Sequence, residues 1–380
     1  MFSGSEPFGA TVMIGMLRQE VMVPVSWISA ILFTVFEDKL LGNLSSPVWL
    51  GFIFIWLFIV ILFSAMSVVR HADCLAVKFG EPYGTLILTL SVISIEIVMI
   101  SSLMLHGENN PTSARDAMFG VIMIMLNGMI GIALLLGGLR FGEQLYNLQG
   151  ANAYLVVIIP LAALGMVLPD FTISTSAPTF SSYQAAFLLV ITFGLYGIFL
   201  LVQTTRHRRY FEEPGPDEPV RCKTETGLNI RSTPTHVLLL IACLLPVVLL
   251  SEQLARPIDY AIEVLGAPAA LGGFLVATLV LAPEAMGGIR AALNNHLQRS
   301  VNMILGSVLS TIGLTIPAVM ALGLLTGKSV ILGLPSSEVT LLFVTFLVSM
   351  TTFSGNRTNI LQGAVHILLF LVYIMLIFKP

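Results

Sequence analysis

The chain has 380 residues, of which 56% are hydrophobic and only 10% are charged, and its mean hydropathy is +0.93. Soluble domains carry about 25% charged residues, so this composition excludes a soluble protein and indicates a polytopic membrane protein. The formal net charge of −3 is too small to indicate a nucleic-acid or acidic partner. The sequence contains no P-loop, dinucleotide fingerprint or H-E-x-x-H motif, so ATP-driven pumping and protease chemistry are unsupported and no enzyme is expected.

The first residues hold no cleavable signal peptide, because Arg18 follows the first short apolar run instead of preceding one. The first membrane helix is therefore expected to be retained as the insertion signal. The cysteines Cys74, Cys222 and Cys243 have neither disulfide nor zinc-ligand spacing, and we interpret them as free thiols.

The hydropathy pattern predicts an all-α fold of about eleven membrane-spanning helices, each needing about 20 mostly apolar residues. The predicted spans are 21–36, 48–69, 82–106, 118–139, 152–169, 184–204, 234–254, 268–288, 300–326, 338–353 and 362–378. One long polar stretch, rich in Pro, Gly and charge, separates two blocks of five helices. The predicted division is an N-terminal segment 1–47, a first repeat 48–204, a cytoplasmic linker 205–233 and a second repeat 234–380.

The distribution of Lys and Arg predicts the orientation of the chain. With the N-terminus inside, thirteen of the 18 basic residues fall on the inner side and five on the outer side. Cytoplasmic loops carry the excess of positive charge. We therefore expect a multi-pass protein of the bacterial inner membrane with a cytoplasmic N-terminus and an extracytoplasmic C-terminus.

Five helices in each half require the second half to enter the membrane inverted relative to the first. Matched residue spacings and one repeated tetrapeptide support a repeat, because polar or glycine positions recur at the same separations in both halves. The echoes are Gly84 to Glu96 and Gly272 to Glu284, Arg115 to Asn127 and Arg299 to Thr311, and LQGA at 148–151 and at 361–364. Inverted repeats that meet near the midplane are the architecture of many secondary transporters.

Glu96 and Glu284 are the residues with the strongest functional signal. A charged side chain in the middle of a membrane helix costs about 2.5–3.5 kcal/mol on insertion scales, so such residues are functional by default. A carboxyl group away from water favours its protonated form, whereas a bound cation favours the carboxylate. Each glutamate could then hold either a proton or a metal ion. The alternative is a pair of structural glutamates, each hydrogen-bonded to a neighbouring helix.

Further oxygen ligands are expected near the glutamates, because a hard cation such as Ca²⁺ takes six to eight oxygens. The candidates for cation or proton binding are Asn127, Ser307, Ser310, Thr311 and Ser94. Hydroxyl groups in membrane helices also bond their own backbone or a neighbouring helix, which is the competing interpretation. Pro283 lacks an N–H group and leaves the carbonyl of Leu279 without its helical partner.

A proton path could involve two other titratable residues, Glu81 and His366. Glu81 is equally explained as an N-terminal charge favoured by its helix dipole, and His366 as a hydrogen-bonded packing residue. No cofactor is expected. The predicted substrates are inorganic cations, Ca²⁺, Na⁺ or K⁺, together with H⁺, and the sequence leaves homo-oligomerisation open.

Several long segments resemble one family. These are VVRHADCLAVKFGEPYGTLILTLSVISIEI, ARDAMF, GGLRFGEQ, LVLAPEAMGGIRAALNNHLQRSVNMILGSVLSTIGLTIPAV and FSGNRTNILQGAVH. From about residue 64 to 378 the chain is similar to the bacterial ChaA-type calcium/proton antiporters, which also exchange sodium and potassium. They form a branch of the cation/proton exchangers in the calcium/cation antiporter superfamily. The resemblance implies two alpha-repeats whose central glutamates, here Glu96 and Glu284, bind the cation.

One departure from the family pattern bears on ion choice. Typical members carry Gly-Asn-x-x-Glu, but Val92-Ile93 and Val280-Leu281 stand at the first two positions of that motif here. Two amide oxygens are thereby missing from the expected set of ligands, which leaves Na⁺ and K⁺ as substrates beside Ca²⁺.

The sequence therefore favours a secondary active cation/proton antiporter that exports Ca²⁺, and also Na⁺ or K⁺, in exchange for H⁺ by alternating access. A passive cation channel that uses the same glutamates for selectivity is the alternative. A third hypothesis is an assembly or sensor protein that binds cations without flux.

Overall fold

A computed structural model of the chain describes residues 20–80, 83–106, 111–175, 177–214 and 231–379. Most of these residues are helical, because a spanning segment must satisfy its backbone polar groups internally. The apolar helices are α1 (Met22–Val35), α2 (Pro47–Phe79), α3 (Tyr83–His106), α4 (Ser113–Phe141), α5 (Leu148–Phe171), α6 (Ser182–Arg206), α7 (Thr233–Glu263), α8 (Ala269–Leu293), α9 (Leu297–Thr326), α10 (Ser336–Thr352) and α11 (Ile360–Phe378).

The predicted all-helical membrane fold with about eleven spans is confirmed for the described residues. Eight helices are long and apolar enough to cross a membrane, and the shorter apolar segments lie in α1, α3 and α10. The predicted end of α2 was too early, because the helix continues through Arg70 and Lys78 and stops at Gly80, whose φ is +66°. The charged residues end the apolar run, but they are compatible with a helix, so α2 continues beyond the run.

The chain packs as two compact units, and the first consists of described residues 20–80, 83–91 and 231–257. Within it, Trp27 on α1 donates its indole N–H to the carbonyl of Ala242 on α7 at 2.9 Å. Trp56 on α2 donates to the hydroxyl of Ser29 on α1 at 3.2 Å. These bonds join three helices that are far apart in the sequence.

The first unit also contains a buried polar cluster that the sequence analysis did not predict. The Nδ1 atoms of His71 and His236 lie 3.1 Å apart, and Nε2 of His71 lies 3.2 Å from a carboxylate oxygen of Glu20. Arg70 and Arg231 pair with the same carboxylate at 2.8 Å and 3.3 Å. The cluster joins the segment before α1 to α2 and α7.

The second unit consists of described residues 92–106, 111–175, 177–214 and 258–379. Its core contains α4 and α8, which approach closely at Gly273, where an added Cβ would lie 2.5 Å from the backbone nitrogen of Ala117. At their other ends, Arg140 donates to the carbonyl of Leu293 and Gln144 donates to the carbonyl of Ala292, both at 2.8 Å. The two helices therefore run in the same direction.

The shared direction of α4 and α8 fits the predicted inverted repeat. Successive spans alternate in direction, so α3 runs opposite to α4 and hence opposite to α8. In the predicted division α3 and α8 are the second helices of their halves, and each carries one of the two glutamates. Equivalent helices with opposite directions are what an inverted repeat requires.

The third helix of each predicted half contains a π-helical segment, Ile124–Met129 in α4 and Thr311–Thr315 in α9. These segments include Asn127 and Thr311, the pair that the repeated spacing had matched. Such segments are rare and occur mostly as single turns, frequently at functional sites. Their equivalent placement supports the repeat in this part of the chain.

The recurrence of the LQGA sequence does not identify equivalent positions in the two predicted halves. Its first copy begins α5, the fourth helix of the first half, whereas its second copy begins α11, the fifth helix of the second half. Both copies follow short strands, β1 (Gln144–Leu145) and β2 (Arg357–Thr358), which pair antiparallel. The helix after each strand begins with an asparagine cap, so the echo reflects a shared strand-to-helix geometry.

The helix before the linker ends later than the predicted boundary at residue 205. Helix α6 continues to Arg206 and a 3₁₀ turn follows at Arg208–Phe211. Asn302 on α9 donates to the carbonyl of Phe211 at 2.7 Å, so this stretch is packed against α9 within the second unit. Residues 215–230, the middle of the predicted linker, lie outside the described residues. The predicted repeat boundaries themselves stay a prediction.

Candidate functional site

Glu96 lies on α3, the helix Tyr83–His106, and only 2% of the residue is exposed. Its Oε2 atom accepts a hydrogen bond of 2.9 Å from the hydroxyl of Thr311 on α9. Its Oε1 atom is buried and has no hydrogen-bond partner in the part of the chain that the structure describes. A buried carboxylate with one oxygen unused can accept a proton or contact a cation.

Glu284 is half-buried on α8, in the second half of that helix. One of its carboxylate oxygens accepts a hydrogen bond from the hydroxyl of Ser307 on α9. Glycine at position 288 allows the backbone of α8 to come close to α9, since an added Cβ would lie 3.2 Å from the side chain of Ile304. This close approach is what lets a short serine side chain reach Glu284.

The same helix thus binds both carboxylates. Ser307 and Thr311 are four residues apart on α9, so their hydroxyls lie on one face, separated by about 6 Å along the helix axis. The carboxylates of Glu96 and Glu284 are close enough to interact electrostatically. The structure therefore brings the two predicted glutamates and two of the predicted hydroxyls into one site.

Thr315 is a member of this site that the sequence analysis missed. It lies one turn beyond Thr311 on the same face of α9, and it is fully buried. Its hydroxyl lies near Glu96 and makes no hydrogen bond within the described part of the chain. The spacing Ser307, Thr311, Thr315 repeats every four residues, and this pattern could have identified Thr315 in the sequence.

Two other predicted ligands point elsewhere. The hydroxyl of Ser310 donates to the carbonyl of Ser307 at 2.9 Å, so it bonds its own helix. Ser94 is two residues from Glu96, which places it about 200° away around an α-helix. The placement of Ser310 follows the competing interpretation, in which a membrane hydroxyl bonds its own backbone or another helix.

Asn127 and His366 are brought together, but in a separate group. Asn127 donates to the hydroxyl of Thr345 at 2.9 Å, and its Oδ1 atom lies 3.3 Å from Nδ1 of His366. The other ring nitrogen of His366 lies 3.0 Å from the hydroxyl of Thr352. Glu81, the other predicted proton-path residue, lies outside the described residues.

The donor set suits a hard cation. Carboxylate and hydroxyl oxygens are the ligands of Ca²⁺ and of alkali ions, whereas softer metals favour sulfur and imidazole. Within the described ranges, no three His, Cys, Asp or Glu side chains are arranged so that together they could hold a metal ion. All the negative charge at this site is therefore supplied by Glu96 and Glu284. Pro283 does not break α8, which continues through it to Leu293.

Thr311→Val is expected to weaken cation binding by about tenfold or more, because a hydrogen bond to a charged group contributes about 1.5–3 kcal/mol. Thr311→Ser should retain most of the affinity. The measurement is isothermal titration of the purified protein with Na⁺ and Ca²⁺. Thr326→Val is the control, since that exposed hydroxyl bonds only the carbonyl of Leu322 in its own helix. Equal affinities for the Thr311→Val and Thr326→Val variants would contradict the assignment of Thr311.

Comparison with known proteins places the chain among cation exchangers. The family model described as sodium/calcium exchanger protein matches residues 49–205 and 235–379. The sodium-potassium/proton antiporter ChaA of Escherichia coli (strain K12) is 40% identical over 323 residues, which is 84% of this chain and 86% of that relative.

Solved structures share the fold. The structure of native YfkE matches 95% of this chain and 98% of its own length, with a TM-score of 0.68 at 18% identity. The crystal structure of the H⁺/Ca²⁺ exchanger CAX matches 94% of this chain and 88% of its own length, with a TM-score of 0.64 at 11% identity. At these identities the likeness establishes the fold alone.

Proposed function

The chain belongs to the sodium/calcium exchanger protein family, and from this membership we propose that it is a secondary active antiporter that exchanges cations for protons. The observation that carries the proposal is the binding of both glutamates by one face of α9, Glu96 through Thr311 and Glu284 through Ser307. A passive channel is not supported, because the family and the similar proteins named above are exchangers or antiporters.

Competition for the same oxygens couples the two ions. When protonated, Glu96 and Glu284 carry no charge and have little attraction for a cation. When both are ionised, they present two negative charges that match one divalent ion, or bind a monovalent ion with charge to spare. A cation that enters from one side displaces the protons, and protons that enter from the other side release the cation. The two carboxylates and the hydroxyls around them are the groups for which the cation and the protons compete.

The names of the similar proteins support Na⁺, K⁺ and Ca²⁺ as substrates. ChaA of Escherichia coli is named for sodium, potassium and protons, and CAX for protons and calcium. Glu96 and Glu284 are the only acidic residues in this site among the residues described, and Val92-Ile93 and Val280-Leu281 supply no amide side chain. A ligand set with few charges and no amides favours acceptance of monovalent ions beside Ca²⁺.

The proposed location is the bacterial inner membrane with the N-terminus in the cytoplasm, and the support is the thirteen-to-five distribution of basic residues. Cations would leave the cell and protons would enter. Each pH unit across the membrane supplies about 1.36 kcal/mol per proton, so export of a divalent ion against its gradient needs at least two protons. Exchange should rise at alkaline pH, where the carboxyl groups release protons more readily.

The test is dequenching of a pH-sensitive dye in everted membrane vesicles after addition of Na⁺, K⁺, Ca²⁺ or Mg²⁺ at two pH values. An antiporter releases protons from the vesicle lumen when the cation is added, and vesicles without the protein do not. If none of the four cations evokes proton movement, the proposal is refuted. Cation flux that needs no proton movement and exceeds carrier rates would restore the channel alternative.

A further inference from the structure

His366 on α11 is a buried titratable residue that the exchange mechanism above does not use. It and Asn127 are both 0% exposed, and they form the separate group with Thr345 and Thr352. Asn127 uses its amide N–H for Thr345 at 2.9 Å, which leaves its carbonyl oxygen to accept from Nδ1–H of His366 at 3.3 Å. Nε2 of His366 then accepts from the hydroxyl of Thr352 at 3.0 Å.

This arrangement satisfies His366 in both protonation states. A proton that binds the lone pair of Nε2 turns this nitrogen into a donor toward the oxygen of Thr352. The hydroxyl hydrogen of Thr352 then rotates toward the carbonyl four residues earlier in α10, a common acceptor for Thr in helices. Nδ1–H keeps its bond to Asn127, and no heavy atom moves.

The polar group continues along α10. Glu338, Thr345, Ser349 and Thr352 follow one another at intervals of seven, four and three residues, which places them on one side of this helix. Thr345, Ser349 and Thr352 are at most 2% exposed. Oε2 of Glu338 and the hydroxyl of Ser349 are buried and have no partner within the described part of the chain. An unpaired buried polar atom is destabilising, so packing does not explain this stripe.

The stripe reaches the end of α10 that lies beside the start of α4. There Glu338 interacts electrostatically with Asp116 on α4, and Tyr373 on α11 interacts with both. Asp116 is paired with Arg115, which also donates to the carbonyl of Gly333 at 3.1 Å. Tyr373 lies seven residues from His366 on α11, and Glu338 lies seven residues from Thr345 on α10. The group of Glu338 and Tyr373 is therefore two helical turns from the group of Thr345 and His366 along the helix axes.

This polar stripe is distinct from the cation site. The hydrogen bonds of Asn127, Thr345, Thr352 and His366 join these residues to one another, whereas Glu96 and Glu284 accept hydrogen bonds from Thr311 and Ser307. The stripe lies on α10 and α11, whereas the hydroxyls that bind the glutamates lie on α9. The charged or titratable residues on the helices packed against His366 are Arg115, Asp116, Arg140, Glu338 and Tyr373.

We propose that His366 is a second proton-binding site, and that Thr345, Thr352 and Glu338 connect it along α10 to the extracytoplasmic surface. The proposal rests on the antiporter function proposed above and adds a path on which protons move without meeting the cation. Protons that enter along α10 bind His366 first and then compete with the cation for Glu96 and Glu284. Cation binding alone does not require this path.

The test separates proton coupling from cation handling in reconstituted vesicles. His366→Gln keeps one donor and one acceptor but removes the titratable ring. Two rates are measured for each protein: cation/proton exchange by dye dequenching, and self-exchange of radiolabelled Na⁺ or Ca²⁺ across vesicles at equal pH. We expect His366→Gln to lose cation/proton exchange and to retain self-exchange. Retention of both rates, or loss of both together in folded protein, would overturn the proposal.

A second variant decides the question if His366→Gln does not fold. Thr352→Val keeps the imidazole and removes the partner of Nε2, so it should also lose cation/proton exchange and keep self-exchange. Its matched control is Thr351→Val on the exposed side of α10, where the hydroxyl bonds only the carbonyl of Leu347. If Thr352→Val matches Thr351→Val in both rates, His366 is not a proton site. A wild-type protein without cation-evoked proton movement would instead refute the antiporter function itself.

Discussion

Glu96→Gln and Glu284→Gln are each expected to abolish cation-evoked proton movement in everted vesicles. Glutamine has nearly the same size and can still accept the hydroxyl hydrogen bond from Thr311 or Ser307, but it neither ionises nor exchanges a proton. The variant therefore loses both the charge that attracts the cation and the proton that the cation displaces. Because the site has only two negative charges, replacement of one carboxylate by an amide removes half of the charge that binds the cation.

The matched control is Glu143→Gln. Glu143 pairs with Arg357 at 2.9 Å, and both side chains are more than half exposed. Exposed pairs of this kind contribute about 0–1 kcal/mol, so exchange should stay at the wild-type rate. Full exchange by either Glu96→Gln or Glu284→Gln, with the protein present in the membrane at normal amounts, would discard the site. Binding of Na⁺ and Ca²⁺ by calorimetry should fall in the same two variants.

Gly273→Val is expected to abolish exchange by a different route, through the packing of α4 against α8. An added Cβ at this position would lie 2.5 Å from the backbone nitrogen of Ala117 and 2.6 Å from the backbone carbon of Asp116. Backbone atoms cannot rotate away, so the two helices must separate. Overpacking of a core costs about 1–3 kcal/mol and occasionally more, and the separation also shifts Glu284 away from α9.

The measurement is the thermal unfolding midpoint in detergent together with exchange in vesicles, and both should fall. Gly194→Val on α6 is the control, because nothing lies within 4 Å of a Cβ built there. If Gly273→Val unfolds at the same temperature as Gly194→Val and exchanges at the same rate, the close approach of α4 and α8 is not required for the fold.

The helices and the two glutamates could be predicted from the sequence because each depends on local composition. An apolar run of sufficient length identifies a span, and a lone carboxylate inside such a run is conspicuous. The end of α2 at Phe79 could not be predicted in the same way, since hydropathy records where the apolar run ends. The glycine with positive φ that follows was the better signal.

The partners of the glutamates were only partly predictable. Ser307, Ser310 and Thr311 are equally polar, and the sequence does not fix which of them face Glu96 and Glu284. The answer depends on the rotation of α9 about its axis, and a π-helical segment changes that rotation partway along the helix. Asn127 lies in the π-helical segment of α4, so its direction could not be read from the sequence either. It was predicted as a ligand of the cation, and its hydrogen bonds join it to Thr345 and His366.

The cluster of Glu20, His71 and His236 shows a second limit. Its members are separated by 51 and 165 residues, and each alone looks like an ordinary interfacial residue. No local pattern connects them. Only packing of the helices in three dimensions brings together residues that are so far apart in the chain.

The two ties between α4 and α8 restrict how this molecule can work. One tie is the approach at Gly273, and the other is the pair of side-chain bonds to Ala292 and Leu293, about 28 Å further along α8 at 1.5 Å per residue. Helices held at both ends behave as one rigid frame. Other elements must therefore slide against this frame to expose the ion first to one side of the membrane and then to the other. A label on α4 should keep its distance from a label on α8 throughout the transport cycle.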